Sequence, residues 1–263
     1  MTLRRAGAAL ALCLLAQVHA PAHAACDSGL AERMQAKLHP ERTLDHGLTA
    51  CRAWRGIPRG VVVVLPMPRP GTLPGVIDYD LDVLLMQEPT NGNTERAVVL
   101  AHWFKRYALR QDHVRIEDIR IDTTHYALAP QLRAFGLRVF YRDDWPARPV
   151  ASESLSLFAH RGDALEQVLA DQEVAYDRGD WQAVCDGRFD TLRSNVGVDA
   201  PVHHGLRDIG IDSTVTRSRA VMQDGQCVSV ASDPEFSRAV LQFDGERYRP
   251  VAGAPDAGNA APR

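Results

Sequence analysis

The chain has 263 residues, a formal net charge of −3 and only two lysines, Lys37 and Lys105, among its basic residues. With no basic block, it carries no electrostatic footprint for nucleic acid or for an anionic membrane surface. Its length is enough to bury a sizeable core, in one large unit or two small ones.

The first elements set the compartment. Arg4 and Arg5 precede the apolar run "AGAALALCLLAQVHA", and Ala22-His23-Ala24 follows with small residues at the cleavage positions. This predicts a secretory leader over residues 1–24. The run is too short to span a bilayer comfortably, and nothing later is apolar for long enough. The mature chain is expected to begin near Ala25 or Cys26, to be soluble in the periplasm, and to carry about −5, since the leader holds two arginines and no acid. A lipid anchor at Cys26 is the less favoured alternative, because His23 stands where a lipid-attachment signal wants leucine. Cys13 leaves with the leader, so Cys26, Cys51, Cys185 and Cys227 remain. An even set in an exported chain favours disulfides, and of three connectivities the pairing Cys26–Cys51 and Cys185–Cys227 closes the shortest loops. No CxxC is present to support a zinc ribbon or thioredoxin-like chemistry.

From Cys26 the sequence predicts a short amphipathic helix. Asp27 or Ser28 is the N-cap, Leu30, Met34 and Leu38 fall at helical spacing, and Pro40 stops the run. Then the period changes. "GVVVVLP" reads as a strand ended by proline, followed by the loop "MPRPGTLPG". In "YDLDVLL", Tyr79, Leu81, Val83 and Leu85 alternate with Asp80, Asp82 and Leu84, the pattern of a half-buried strand. "ERAVVLAHWF" leans to strand, and "RAFGLRVFYR" puts Phe135, Leu137, Val139 and Tyr141 on one face. Hairpins are expected about the tip Arg161-Gly162-Asp163 and about Asp244-Gly245, the latter as a type I′ turn. The two resemble each other, which suggests repeated β units. The expected fold is mainly β, of repeated antiparallel hairpins in a propeller-like or sandwich arrangement, with one N-terminal helix. A single β-rich domain would cover 25–251, with a sub-boundary near 145–152, and the polar tail 252–263 should be disordered.

The densest chemical stretch is "HVRIEDIRIDTTHY", His113 to Tyr126. Val114 and Ile116 alternate, as do Ile119 and Ile121, and the phase slips at Glu117-Asp118. A β-bulge accounts for the slip. It leaves Arg115, Glu117, Arg120 and Asp122 on an outer face, and it is favoured over a metal cluster of His113, Asp118, Asp122 and His125, whose spacing matches no compact ligand motif. Asp78, Asp80 and Asp82 lack the glycine and closing glutamate of a calcium loop, and alternating strand polarity accounts for Asp80 and Asp82. His203-His204 reads as a loop pair, and both Arg-Gly-Asp triplets, 161–163 and 178–180, read as turns. No GxSxG, HExxH or phosphate-cradling loop occurs, so no catalytic residue, metal or cofactor is assigned.

Across most of the mature chain, "YDLDVLL", "RIEDIRIDTTHYALAPQLRAFGLRV", "SESLSLFAHRGDALEQVL", "HHGLRDIGID" and "AVLQFDGERY" resemble exported β-rich proteins of Gram-negative bacteria with FG-GAP-like repeats. That group includes an immunity lipoprotein against a lysozyme-like effector of a type IV secretion system. This chain keeps only Gly205 and Asp208 of the repeat's calcium loop, and it lacks the Ser-Gly-x-Tyr loop of some periplasmic lysozyme inhibitors. The resemblance implies a periplasmic protein-binding module, such as an inhibitor or immunity protein against a peptidoglycan hydrolase. An envelope-acting enzyme with a carboxylate or metal site is the alternative. The expected binding surface combines "MPRPGTLPG", "YRDDWPARP" and "VDAPVHHG", with Trp145, Arg142, Arg148, His203 and His204 as its candidate contacts, because aromatic and arginine side chains dominate binding hot spots.

Overall fold

Alternating and β-branched runs suit a pleated surface, and they make most of this chain strand. The computed structural model describes residue 26 and residues 29–71, 73–89 and 94–251. The expected leader and tail lie outside the described residues. Helix α1 (Leu30–Leu38) precedes a four-stranded antiparallel sheet of β1 (Ala50–Trp54), β2 (Gly60–Pro70), β3 (Ile77–Gln87) and β4 (Val98–Gln111), in that spatial order. The chain then crosses at residues 112–114 into a nine-stranded sheet. Strands β5 (Arg115–Ala129), β6 (Leu132–Asp143), β7 (Val150–Arg161), β8 (Ala164–Ala183), β9 (Asp186–His203) and β10 (Leu206–Gln223) are neighbours in sequence order. Both β11 (Gln226–Ala231) and β12 (Glu235–Phe243) pair with β10, and β13 (Tyr248–Pro250) pairs with β12. Residues 144–149 join β6 to β7 inside this sheet.

Three hydrophobic clusters order these layers. Between the sheets, Trp54, Val62, Val64, Leu81, Val83 and Leu85 meet Ile116, Ile119, Ile121, Phe135, Leu137, Val139 and Phe158. Phe135 stacks on Phe158 at 5.7 Å and meets the edge of Trp54 at 5.3 Å. Each such buried side chain contributes roughly 1.5–3 kcal/mol. The opposite face of the large sheet holds Tyr126, Leu155, Leu157, Val168, Ile209, Ile211 and Phe243. On the far side of the small sheet, Leu30, Ala31 and Met34 of α1 cover Val61, Val63, Leu65, Leu84 and Met86. Both disulfides form as expected, Cys26–Cys51 with Cα atoms 5.2 Å apart and Cys185–Cys227 at 5.5 Å. Two disulfides fit an oxidising compartment. Among the described residues, no helix is long and apolar enough to cross a membrane.

The bulge falls where the phase slip predicts it. β5 loses register against β6 between Ile116 and Asp118, so Ile116, Ile119 and Ile121 all reach the core. The mainly antiparallel β reading with one N-terminal helix also holds. Several local expectations do not. The helix N-cap is Gly29, in left-handed conformation with no side-chain cap, whereas Asp27 and Ser28 lie outside the described residues. β2 does not stop at proline; it runs on beyond Pro66 and Pro68. β1 pairs only with residues 60–64, which leaves that side of β2 open, and the Pro66 carbonyl accepts the Asp45 N–H there. Alternate prolines facing an open edge cost no ladder hydrogen bond. Asp244-Gly245 opens a four-residue connection instead of a type I′ turn, because the Asp244 carboxylate accepts the Glu246 and Arg247 N–H groups. Two-residue turns with both φ positive occur at His204-Gly205 and Asp224-Gly225. The second Arg-Gly-Asp, 178–180, lies within β8, where Gly179 lets Phe189 and Pro149 pack close to the backbone.

Candidate functional site

The ends of β8 to β11 run beyond all three hydrophobic clusters: residues 176–191 and 214–231 contribute no member to any of them. This arm is held by its ladders, by an edge contact between Trp181 and Phe189 at 4.9 Å, and by Cys185–Cys227. The disulfide ties the β8–β9 turn to β11. Loop 144–149 lies along the β8 side of the arm: the Ala147 carbonyl accepts the Trp181 N–H at 2.9 Å, and the Pro149 carbonyl accepts the Gly179 N–H at 2.9 Å. The arm and loop expose Trp145 (61%), Val184 (94%), Met222 (58%) and Val230 (52%), with Trp181 and Val221 partly open. Large exposed apolar side chains gathered on one element mark an interaction site more often than scattered ones do.

Arginines frame these apolar groups. Arg142 donates to Glu117 at 2.7 Å, which holds the Glu117 carboxyl below its ordinary value. Arg148 lies 3.4 Å from Asp180. A cleft of about 370 Å³ opens beside the loop, lined by Arg142, Asp144, Pro149, Arg178 and Phe189 among others. Trp145, Arg142 and Arg148 therefore belong to one built surface. His203 and His204 do not join it. Ala147 sits beside Trp181, which pairs with Gly187, whereas His203 pairs with Leu206 at the other end of β9. There His203 Nδ1 hydrogen-bonds the buried Asp208 at 2.6 Å, and His204 takes a turn conformation. Most of "VDAPVHHG" is strand β9, and Met67 to Pro70 of "MPRPGTLPG" is strand β2. A second depression, of about 620 Å³, lies at the base of the arm between Arg193, Thr214, Phe236 and Arg238.

Elsewhere, β3 is not half-buried: Asp78, Asp80 and Asp82 are as buried as the apolar residues between them. Helix α1 and the loop after it cover this face, and basic side chains compensate the charge. Asp82 hydrogen-bonds His39 Nε2 at 2.7 Å and His102 Nδ1 at 3.1 Å. Asp78 accepts from Arg110 at 2.8 Å. Asp80 accepts from Arg42, from Arg69 and from the Tyr107 N–H. Burial pushes the Asp80 carboxyl up, but the Tyr107 N–H and the two guanidiniums outweigh it and hold the carboxyl below its ordinary value. β4 bulges at residues 106–108 opposite Asp80, and Tyr107 takes a positive φ of 52° there. No sequence signal reveals this row, because an acid that alternates with apolar residues looks the same whether water or arginine faces it.

The stretch from His113 to Tyr126 is mostly strand β5, and its polar groups disperse. Asp118 pairs with Arg120, while His113 and His125 are exposed. Asp122 departs from the expected outer face. It is half-buried and accepts from Arg138, from the Tyr126 hydroxyl and from the Thr124 N–H. Burial raises the Asp122 carboxyl, yet the Thr124 hydroxyl and N–H and the Arg138 guanidinium bring it below its ordinary value. Among the described residues, no three His, Cys, Asp or Glu side chains converge to hold a metal.

Comparison with protein-family models, with curated proteins and with solved structures found no match.

Proposed function

We propose that this is an exported protein-binding module of the periplasm, docking its partner with the disulfide-tied arm and loop 144–149. The observation that carries the reading is that exposed Trp145, Val184, Trp181, Met222, Val221 and Val230 all lie at this end, Trp181 and Met222 on one face of the arm and Val221 and Val230 on the other, outside every hydrophobic cluster. Ladders and a disulfide preorganise the surface, so docking orders few groups. The resemblance to exported β-rich proteins suggests a lysozyme-like peptidoglycan hydrolase as the partner class, with the chain as its inhibitor or immunity protein.

The test takes the mature protein as bait in periplasmic extract, identifies what co-elutes, and titrates that partner against wild type and Trp145→Ala. The expected result is a stoichiometric complex weakened by at least ~2 kcal/mol in the variant. Equal affinity would remove the loop from the interface. One observation favours a second reading, an enzyme on envelope polymer: buried Asp82 holds the Nδ1 of half-exposed His102, an orientation that suits a general base. Turnover of peptidoglycan fragments that His102→Ala abolishes would favour that reading over binding.

A further inference from the structure

The opposite side of the arm, β11, is an unprotected sheet edge. Among the described residues it pairs with β10 alone. Gln223 and Gln226 flank the two-residue Asp224-Gly225 turn, and in such hairpins the flanking pair exchanges both ladder hydrogen bonds. The Ser232 N–H donates to the Arg217 carbonyl at 2.8 Å and keeps the same parity. Residues 226, 228, 230 and 232 thus face β10, and the backbone groups of Cys227, Ser229 and Ala231 face outward. Proteins ordinarily blunt such an edge with charge, proline or a bulge. "QCVSVA" has none of these, whereas Asp233, Pro234 and Glu235 protect the next stretch. The disulfide at Cys227 holds the edge in place.

The side chains beside the edge indicate what would lie on it. Cross-strand register puts Val221 opposite Val228 in one row, and Arg188, Arg219 and Val230 together in the next. Arg188 and Arg219 are directly opposed and exposed, and among the described residues neither has an acidic side chain within 4 Å; Asp180, across from Arg188 on β8, is engaged by Arg148. Opposed like charges destabilise a sheet, and an acidic group arriving in that row would relieve them. We infer that β11 accepts an extended strand of the partner protein, which pairs with Cys227, Ser229 and Ala231 and sets an apolar and an acidic side chain on one face, toward Val228 and Arg219. The inference rests on the protein-binding reading and names how part of that partner is held. Loop 144–149 and β11 flank opposite sides of the arm, about 20 Å apart at strand spacing, so the two contacts are separable.

Two acetylated, amidated heptapeptides serve as probes: Thr-Val-Thr-Val-Thr-Glu-Thr and the same sequence with lysine for glutamate. Amide exchange is followed by NMR on the full mature protein. In the free protein the amides of Cys227, Ser229 and Ala231 should exchange fast, and the glutamate peptide should slow them while the lysine peptide does not. Ser229→Pro should weaken binding about tenfold or more through lost backbone hydrogen bonds. Arg188→Glu with Arg219→Glu should reverse the preference between the peptides, whether or not the proline variant folds. Trp145→Ala should bind the glutamate peptide as wild type does. Amides already protected in the free protein, equal response to both peptides, or dimerisation of wild type through this edge would overturn the inference. A full-length partner that needs Trp145 but ignores Ser229→Pro would refute the edge contact and leave the loop surface standing.

Discussion

Replacing Cys185 and Cys227 by serine separates the arm's stability from that of the body. The bridge spans 42 residues, and the chain-entropy relation assigns a loop of that length about 4 kcal/mol. In a protein with one cooperative core the loss would spread over the whole molecule. Here residues 176–191 and 214–231 lie outside all three clusters, so the loss should fall on the arm. About 4 kcal/mol corresponds to nearly a thousandfold, which is the ceiling for opening of the arm, because Leu206, Ile209 and Ile211 within the loop stay packed in the core. Hydrogen–deuterium exchange of wild type and the double-serine variant should therefore show amides of 179–190 and 216–230 speeding up by up to that factor. Amides of β2, β3 and β6 should keep their rates. Equal acceleration in arm and core would mean that the arm is part of the core, and no acceleration anywhere would mean that the ladders alone hold it.

Asp80→Ala leaves Arg42, Arg69 and the Tyr107 N–H without their shared acceptor, and urea unfolding should report a loss of about 3–5 kcal/mol; under 1 kcal/mol would show that water replaces the carboxylate. Because the folded Asp80 carboxyl titrates below its ordinary value, its contribution is fully present above the unfolded pKa of about 4 and is lost as pH falls through the folded value. The stability gap between wild type and Asp80→Asn should thus stay level from about pH 7 to 5 and narrow below about 4, and a gap that widened in acid would contradict the assignment. Asp122→Ala strands the buried Tyr126 hydroxyl and should cost about 2–3 kcal/mol, whereas exposed His125→Ala should fall within about 0.5 kcal/mol; equal costs in thermal unfolding would argue against the half-buried Asp122.

What was legible in the sequence follows from what alternation encodes. Period and phase place Ile116, Ile119 and Ile121 on one face and locate the bulge at Glu117, because a slip of one residue moves a side chain across the sheet. Cysteine order gives both bridges. Burial of the second face of β3 was not legible, since the cover comes from α1 and from Arg42 and His39, far away in sequence. The turn positions misled for a related reason. Asp-Gly at 244 makes a longer loop once its carboxylate caps two N–H groups, and Arg-Gly-Asp at 178 stays extended because Gly179 makes room for Phe189. Of the candidate contacts, Trp145, Arg142 and Arg148 share the arm surface by virtue of chain adjacency. His203 and His204 are separated from them by the length of β9, which no local pattern reports.

The most direct test of the binding account is an exchange footprint of the complex between the mature protein and its co-eluting partner, measured against the free protein. New protection is expected at residues 143–149, 179–187 and 219–231, with the α1 face and the Asp78–Asp82 row unchanged. Protection confined to α1, His102 and β4, with the arm exchanging as in the free protein, would contradict it.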